Sequence, residues 1–265
     1  LKVFNILMDL TGVLLIKDKI KREVAFIDKF YNYRGRVGNF KIKFLGKTIY
    51  TPWIPMLRAQ LRAFFIEEEY NFDLRENPII IDGGSNIGLA IIYYHLTFKN
   101  PKIIALEADE SIVENYLEKN IKAFDVKNVE IINKGLWSSE GEFNFIKTGL
   151  DSGKISSSGN HLIKTITLDS IIDKYEQIDF LKLDIEGAAL EVLKSSKLLS
   201  KVKYMYVELE MNTNLDDILN TLKLLKDNNF KYFIRSTTKD MKPDEIFESK
   251  EDLTYYTHIF AKQIK

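Results

Sequence analysis

Two short stretches of the 265-residue chain carry side chains whose types and spacing could do chemistry. In the first, Ile79-Ile80-Ile81 runs directly into Asp82-Gly83-Gly84-Ser85-Asn86-Ile87-Gly88. Three apolar residues followed by a carboxylate and closely spaced glycines describe a buried strand that breaks into a tight turn, where glycine lets a ligand approach the backbone. The spacing of Gly83, Gly84 and Gly88 is not the G-x-G-x-x-G of a dinucleotide fingerprint, and Asp82 would set negative charge against a pyrophosphate. The turn suits a ligand without phosphate, one whose ammonium a carboxylate can hold. In the second stretch, Lys182, Asp184 and Glu186 alternate with apolar residues and precede Gly187. Strand alternation is expected to turn the three charges to a common face at the strand's carboxyl end. Two carboxylates and an amine are costly to bury without purpose. Glu186 has a second reading, as the cap of a helix beginning at Ala188 with Gly187 permitting the turn.

Other residues enter through these two. Glu107 closes the apolar run Ile103-Ile104-Ala105-Leu106, which places a carboxylate next to the first turn, where it can accept both hydroxyls of a ribose. Asp109 and Glu110 beside it keep open the plainer role of helix capping. Glu208 and Glu210 at the end of a fifth strand could join Asp184 and Glu186 in an all-oxygen site for a divalent cation, but the expectation is a site without metal. His161 is the only histidine expected in a loop and is a further candidate base, whereas His95 and His258 are expected to pack.

The elements that must position these groups follow from periodicity. Residues 17–36 form a mildly basic helix with Ile20, Val24, Ile27 and Tyr31 on its buried face, residues 40–50 a hairpin turning at Leu45-Gly46, and residues 55–72 a second helix. Asn77-Pro78 closes this amino-terminal accessory region, residues 1–77. From residue 78 to 265, short apolar runs at 79–82, 103–107, 129–133, 180–184 and 204–209 alternate with helical patterns at 87–96, 111–124, 189–196 and 215–228. That alternation is the pattern of a doubly wound parallel sheet, an α/β fold, and two last runs at 232–235 and 255–261 are close enough to pair as an antiparallel edge. A Gly/Ser-rich stretch, Gly149 to Gly159, interrupts the rhythm between two short strands and reads as a mobile loop and candidate lid.

Composition narrows the classes further. Lys plus Arg and Asp plus Glu both total 38, so no overall field draws in nucleic acid, and no nucleic-acid partner is expected. The absence of cysteine removes disulfides, thiolate zinc sites and cysteine nucleophiles and agrees with a reducing, cytoplasmic setting. The apolar run Val3 to Ile16 is broken by Asp9 and too short to span a bilayer. It is expected to be a docked or interfacial helix, leaving peripheral membrane contact open but no transmembrane segment. The chain opens on Leu1 rather than Met, as a trimmed chain would.

With these residues in place, the chain resembles the class I S-adenosylmethionine-dependent methyltransferases, and more narrowly the FkbM family. The likeness runs from Phe65 to Ala261 and rests on IIIDGGSNIG, ALEAD, NKGLWSSEG, TITLDSII and above all DFLKLDIEGAALEVLK. The FFIEEEYNF lead-in is similar to that of members acting in surface glycan synthesis. The resemblance implies a seven-stranded Rossmann-like sheet in the order 3-2-1-4-5-7-6, S-adenosylmethionine as cofactor, and methyl transfer to oxygen. It also implies Asp82, Gly83, Gly84, Asn86 and Gly88 at the methionine portion, Glu107 at the ribose, and Asn133 and the Gly135-Leu136 step near the adenine. A hydroxyl is a poor nucleophile at neutral pH, so the transfer wants a base and in-line placement. Asp184 or Glu186 is then the base, oriented or tuned by Lys182, with His161 in reserve. The acceptor implied is a small molecule or a hydroxyl of a sugar or glycan precursor. The alternatives are a non-catalytic module that binds the cofactor or a glycan-assembly partner, and a nicotinamide-dependent oxidoreductase, which the glycine spacing disfavours.

Overall fold

Fully apolar runs bounded by turns can bury both faces only inside a sheet covered on each side. The computed structural model, which describes residues 19–31, 37–147, 153–209, 215–237 and 256–264, shows these runs paired in that way. The apolar run Val3 to Ile16, residue Glu210 and part of the expected lid lie outside the described residues. In chain order the elements are α1 (Lys19–Phe30), β1 (Val37–Phe44), β2 (Lys47–Trp53), α2 (Ile54–Phe65), β3 (Ile79–Gly83), α3 (Leu89–Thr97) and β4 (Lys102–Leu106). A short α4 (Glu110–Ile112) passes through a π turn, Val113–Leu117, into α5 (Glu118–Phe124). There follow β5 (Val129–Ile132), β6 (Gly135–Leu136), β7 (Gly141–Ile146), β8 (Lys154–Ile155), β9 (His161–Ile166), α6 (Leu168–Ile172), β10 (Ile178–Leu183), α7 (Ala189–Ser195), β11 (Val202–Leu209), α8 (Leu215–Asp227), β12 (Phe230–Thr237) and β13 (Tyr256–Gln263).

The described residues fall into two units. The larger comprises Phe72–Ser85, Phe98–Ser111 and the described part of Lys127–Lys265. Its seven-stranded sheet runs β12-β13-β11-β10-β3-β4-β5, which in sheet-strand numbering is the expected 3-2-1-4-5-7-6 order. Only β13 is antiparallel to its neighbours, and it forms the predicted edge with β12. Alternation sorts the side chains into two faces. Ile81, Leu181, Leu183, Met205, Val207, Ile259 and Ala261 join α6, α7 and α8 in one apolar core. On the opposite face, Phe180 and Tyr204 stack on Phe72, with ring centroids 4.8 and 5.1 Å away. Beyond these aromatics, toward the strands' carboxyl ends, the same face becomes charged. The non-carboxyl end is fixed by Asp179, which is fully buried and accepts from Arg75 Nε at 2.9 Å and the Ile79 N–H at 2.8 Å.

A second, four-stranded sheet, β6-β9-β7-β8, corrects the expectation of a lid. The described part of the Gly/Ser-rich stretch is not a free loop, because β8 pairs antiparallel with the end of β7 at Phe145 and Ile146. The glycines serve close packing: a Cβ on Gly159 would lie 2.5 Å from the Phe145 backbone, and one on Gly153 would lie 2.6 Å from the Phe145 ring.

The smaller unit holds the described part of Leu1–Asn71 with Asn86–Thr97 and Ile112–Val126. Its hairpin β1-β2 turns at Leu45-Gly46, both at positive φ as a two-residue hairpin requires. The helix expected to run to residue 72 ends at Phe65. Three glutamates, Glu67 to Glu69, oppose continuation at the negative end of a helix, and Glu68 turns at φ 52°. Beyond the turn, buried Tyr70 stacks on Phe64 at 4.9 Å. The helix expected from residue 87 begins at Leu89, since Asn86 and Gly88 occupy left-handed conformations.

Candidate active site

The carboxyl ends of β3, β10 and β11 and the amino end of antiparallel β13 bring five titratable side chains into one row. Asp82 on β3 pairs in register with Lys182 on β10, Lys182 with Tyr206 on β11, and Glu208 on β11 with His258 on β13. Lys182 is the hub. Its ammonium is buried, donates to the Gly84 carbonyl at 2.8 Å, and lies 3.2 Å from Asp184 Oδ2 and 3.4 Å from Asp82 Oδ1. Burial works against its charge, but the carboxylates of Asp184 and Asp82 outweigh that and raise its pKa above the usual lysine value.

Asp82 is fully buried, and neither carboxylate oxygen accepts a hydrogen bond. Burial pushes its pKa up, against the pull of Lys182. The Lys182 ammonium 3.4 Å away balances its charge without hydrogen-bonding to it, which leaves both oxygens able to accept from a further donor. The turn after it is shaped for close approach. Gly84 sits at φ 80°, and a Cβ there would lie 1.8 Å from the Asp184 carbonyl oxygen. The N–H groups of Gly84 and Ser85 both donate to the Leu106 carbonyl. Asn86 and Gly88, next in the chain, belong to the smaller unit, where Asn86 Nδ2 contacts Met56 Sδ at 3.5 Å and a Cβ on Gly88 would lie 2.6 Å from Leu117.

Beyond β4, Glu107 is half-buried and accepts from the Asp109 N–H at 2.9 Å. The cap of the following helix is Asp109, which accepts from the N–H and hydroxyl of Ser111 and pairs with Lys147 at 3.1 Å. Burial opposes the Asp109 charge, but the Ser111 and Lys147 contacts hold its pKa below the usual carboxylate value. The capping duty weighed for Glu107 thus falls on its neighbour. Asn133 is exposed at the end of β5 and donates to the Glu107 carbonyl at 2.8 Å, while buried Leu136 is the side chain against which a Cβ on Gly83 would collide, at 2.8 Å. Glu107, Asn133 and Leu136 therefore gather in the larger unit beside Gly83 and Asp82.

The expected common face of Lys182, Asp184 and Glu186 holds only for the first two. β10 ends at Leu183, its ladder extends to Asp184, whose N–H donates to the Gly83 carbonyl at 3.1 Å, and Glu186 lies past it in a left-handed turn at φ 48°. The N-cap position of α7 is held by Ala188, not by Glu186. His161 is not in a loop; it opens β9, exposed, on the second sheet.

The sequence reading named Glu208 at this rim but missed the partners it meets there, Tyr206 and His258. Tyr206 donates to Glu208 Oε2 at 3.0 Å, and His258 Nε2 lies 3.5 Å from the same oxygen. His258 also meets the Tyr206 ring edge-on at 5.5 Å. Burial and the nearby Asp184 charge push the Glu208 pKa up to about 8. The signal for Glu208 was its parity with Tyr206. Nothing local tied it to a histidine fifty residues on, which only the antiparallel pairing of β11 and β13 brings across. Among the described residues no group of three or more acidic or histidine side chains is arranged to hold a metal ion, and no helix is long and apolar enough to cross a membrane.

Comparison with known proteins follows the geometry. Residues 82–232 match the family model described as the Methyltransferase FkbM domain. The chain is similar to Methyltransferase sdnD of Sordaria araneosa, 26% identical over 181 residues that span 51% of this chain and 70% of that protein. Among solved structures it is similar in fold to the METTL16 MTase domain, with a TM-score of 0.50 and 13% identity over 94% of this chain and 82% of that one.

Proposed function

The chain belongs to the FkbM family and is an S-adenosylmethionine-dependent methyltransferase of class I fold, and on that premise we propose that it methylates a hydroxyl oxygen of a sugar or glycan precursor. The observation that carries this reading is the pairing of Asp184 with Lys182. A carboxylate 30% exposed is held by an ammonium that is itself buried and anchored on the glycine turn. The residues in place fit the cofactor: the donor-free oxygens of Asp82 suit its ammonium, the cramped turn at Gly83 and Gly84 admits its methionine portion, and Glu107 suits the ribose hydroxyls. Asn133 and Leu136 flank the adenine in this reading, while Asn86 and Gly88 supply the left-handed geometry in the second half of the turn.

When bound, the cofactor supplies an electrophilic methyl on a sulfonium. Asp184 accepts the proton of the acceptor hydroxyl at its carboxylate, and the oxygen is thereby made nucleophilic as it is aligned with the methyl. Lys182 acts through Asp184 and the Gly84 carbonyl, fixing both against each other, and so is a positioning residue. The segment Leu183-Asp184-Ile185-Glu186 stands where an amino-group methylase carries a [DN]-P-P-[FYW] loop, which supports oxygen over nitrogen as the acceptor atom. The reading places the reaction in polysaccharide biosynthesis in the cytoplasm, in keeping with the cysteine-free sequence.

The test is methyl transfer from isotopically labelled S-adenosylmethionine to a panel of sugar nucleotides and glycan intermediates, with wild type and Asp184→Asn. A labelled ether product that Asp184→Asn largely fails to form, with cofactor affinity retained, supports the reading. Turnover retained by Asp184→Asn moves the proton to Glu186 or His161, and label on nitrogen alone rejects the hydroxyl acceptor.

A further inference from the structure

The smaller unit contains a cavity of about 650 Å³ between the hairpin and the helix that passes through the π turn. Its residues include none assigned to the glycine turn or the charged row. Three aromatic rings, Phe40, Tyr50 and Tyr116, form the apolar part of the lining, each half-buried. Lys41, Lys119 and Lys122 also line the cavity, and the lining residues include no Asp or Glu. Lys41 lies over the Tyr50 ring, 5.7 Å from its centroid. The amides of Asn39 and Asn115 complete the wall, Asn39 accepting from the Tyr116 hydroxyl.

The wall is held in place. Asn120, fully buried, accepts from the Tyr50 N–H at 2.7 Å and donates to the Tyr50 carbonyl at 2.9 Å and the Ile87 carbonyl at 2.8 Å. Lys47 reaches from β2 to the Phe124 carbonyl at 2.8 Å, at the far end of α5. Hairpin and helix are thus clamped at two points, and the cavity between them is preformed. Asn115 and Tyr116 sit within the π turn Val113–Leu117, an irregularity that costs helix stability and that proteins retain mostly at functional positions.

We propose that this cavity binds a small phosphorylated ring compound, a nucleoside phosphate or a sugar phosphate. Three lysines without an opposing carboxylate call for an anion of more than one charge, and ammonium groups serve phosphate as point charges. The aromatic rings call for a flat or cyclic moiety to lie against them, and the amides for hydroxyls or ring heteroatoms. The volume is that of a pocket for one small molecule. A chain with equal totals of acidic and basic residues offers no extended track for a polymer. The inference does not rest on the methyl-transfer reading.

Calorimetric titration with uridine diphosphate, glucose 1-phosphate, inorganic pyrophosphate and uridine tests it, on wild type, Lys41→Gln/Lys119→Gln/Lys122→Gln and Tyr50→Ala, with thermal melting to verify folding. One of the two phosphorylated ring compounds is expected to bind more tightly than pyrophosphate or uridine. The lysine variant should weaken that binding by about tenfold or more, equivalent to one charge-assisted contact or better. Tyr50→Ala should weaken the ring compound more than pyrophosphate. Preference for uridine diphosphate identifies a nucleobase as the ring, and preference for glucose 1-phosphate a pyranose. The proposal is overturned if neither compound binds, if pyrophosphate binds as tightly as both, or if a folded lysine variant binds as well as wild type. The lysines are surface residues, so that variant separates loss of the site from loss of the fold.

Discussion

Glu107 and Glu208 show how the same functional group takes different duties from its surroundings. Glu107 is half in solvent and accepts from the Asp109 N–H, while Asp109 caps the helix that follows. Glu107→Ala is expected to weaken S-adenosylhomocysteine binding by about 1–3 kcal/mol with the melting temperature close to wild type; unchanged affinity would remove Glu107 from the cofactor site. Glu208 is governed by burial. It is faced by Asp184 and Lys182 on β10, by Tyr206 on its own strand and by His258 on β13, and its pKa is pushed up to about 8 from an ordinary 4.5. A carboxyl group with a raised folded-state pKa binds protons more strongly in the native state. Its contribution to stability is therefore complete below 4.5 and lost as pH rises toward 8. Urea unfolding between pH 5 and 8 should show wild type losing roughly 2–4 kcal/mol more than Glu208→Gln across that window. Parallel pH profiles for the two proteins would contradict the assignment.

At the scale of elements, the glycine turn and the hairpin turn make a matched pair of tests. Gly84 and Gly46 have nearly the same φ, 80° and 76°, but a Cβ at Gly84 meets the Asp184 carbonyl at 1.8 Å, whereas one at Gly46 meets nothing within 4 Å. Gly46→Ala should cost about 1 kcal/mol, the strain of a left-handed residue. Gly84→Ala should cost several times more, roughly 3 kcal/mol or above, because backbone must move as well. Equal melting temperatures for the two variants would show that the close approach of β3 and β10 does not matter. Elements of this kind were legible because period and turn chemistry are local: Ile79 to Ile81, the alternation around Lys182 and the Leu45-Gly46 turn announce themselves in sequence. What was not legible depended on distant partners. Residues Gly149 to Gly159 read as a loop because glycine and serine favour loops, and only the packing of Gly153 and Gly159 on Phe145 explains those two glycines in tertiary terms. The helix predicted to residue 72 carried its aromatic period past the true end, since Tyr70 returns to Phe64 through a turn.

At the scale of the whole molecule, the two ends of the sheet divide labour. The carboxyl ends concentrate charge in the row around Lys182, while the other end holds Asp179, buried and fully engaged by Arg75, Ile79 and Gln177. Asp179→Ala is expected to destabilise the protein by about 1–3 kcal/mol, chiefly because the Ile79 N–H loses its acceptor, Arg75 being half exposed and able to turn to water. Cofactor affinity of the folded fraction should be unchanged; a selective loss of cofactor affinity at full stability would contradict this division. The strand order was what the family resemblance implied, the runs themselves announcing only a parallel sheet with an antiparallel last pair, and the sheet has that order. We propose that Asp82, the glycine turn and Glu107 form a site for a phosphate-free nucleoside with an amino-acid end. Calorimetric titration of the purified chain with S-adenosylhomocysteine, with NAD and ATP under the same conditions, tests it most directly. Saturable binding of S-adenosylhomocysteine, weakened by Glu107→Ala and not shared by NAD at this site, is the predicted result. NAD binding that Glu107→Ala abolishes, or no binding of S-adenosylhomocysteine at all, would contradict it.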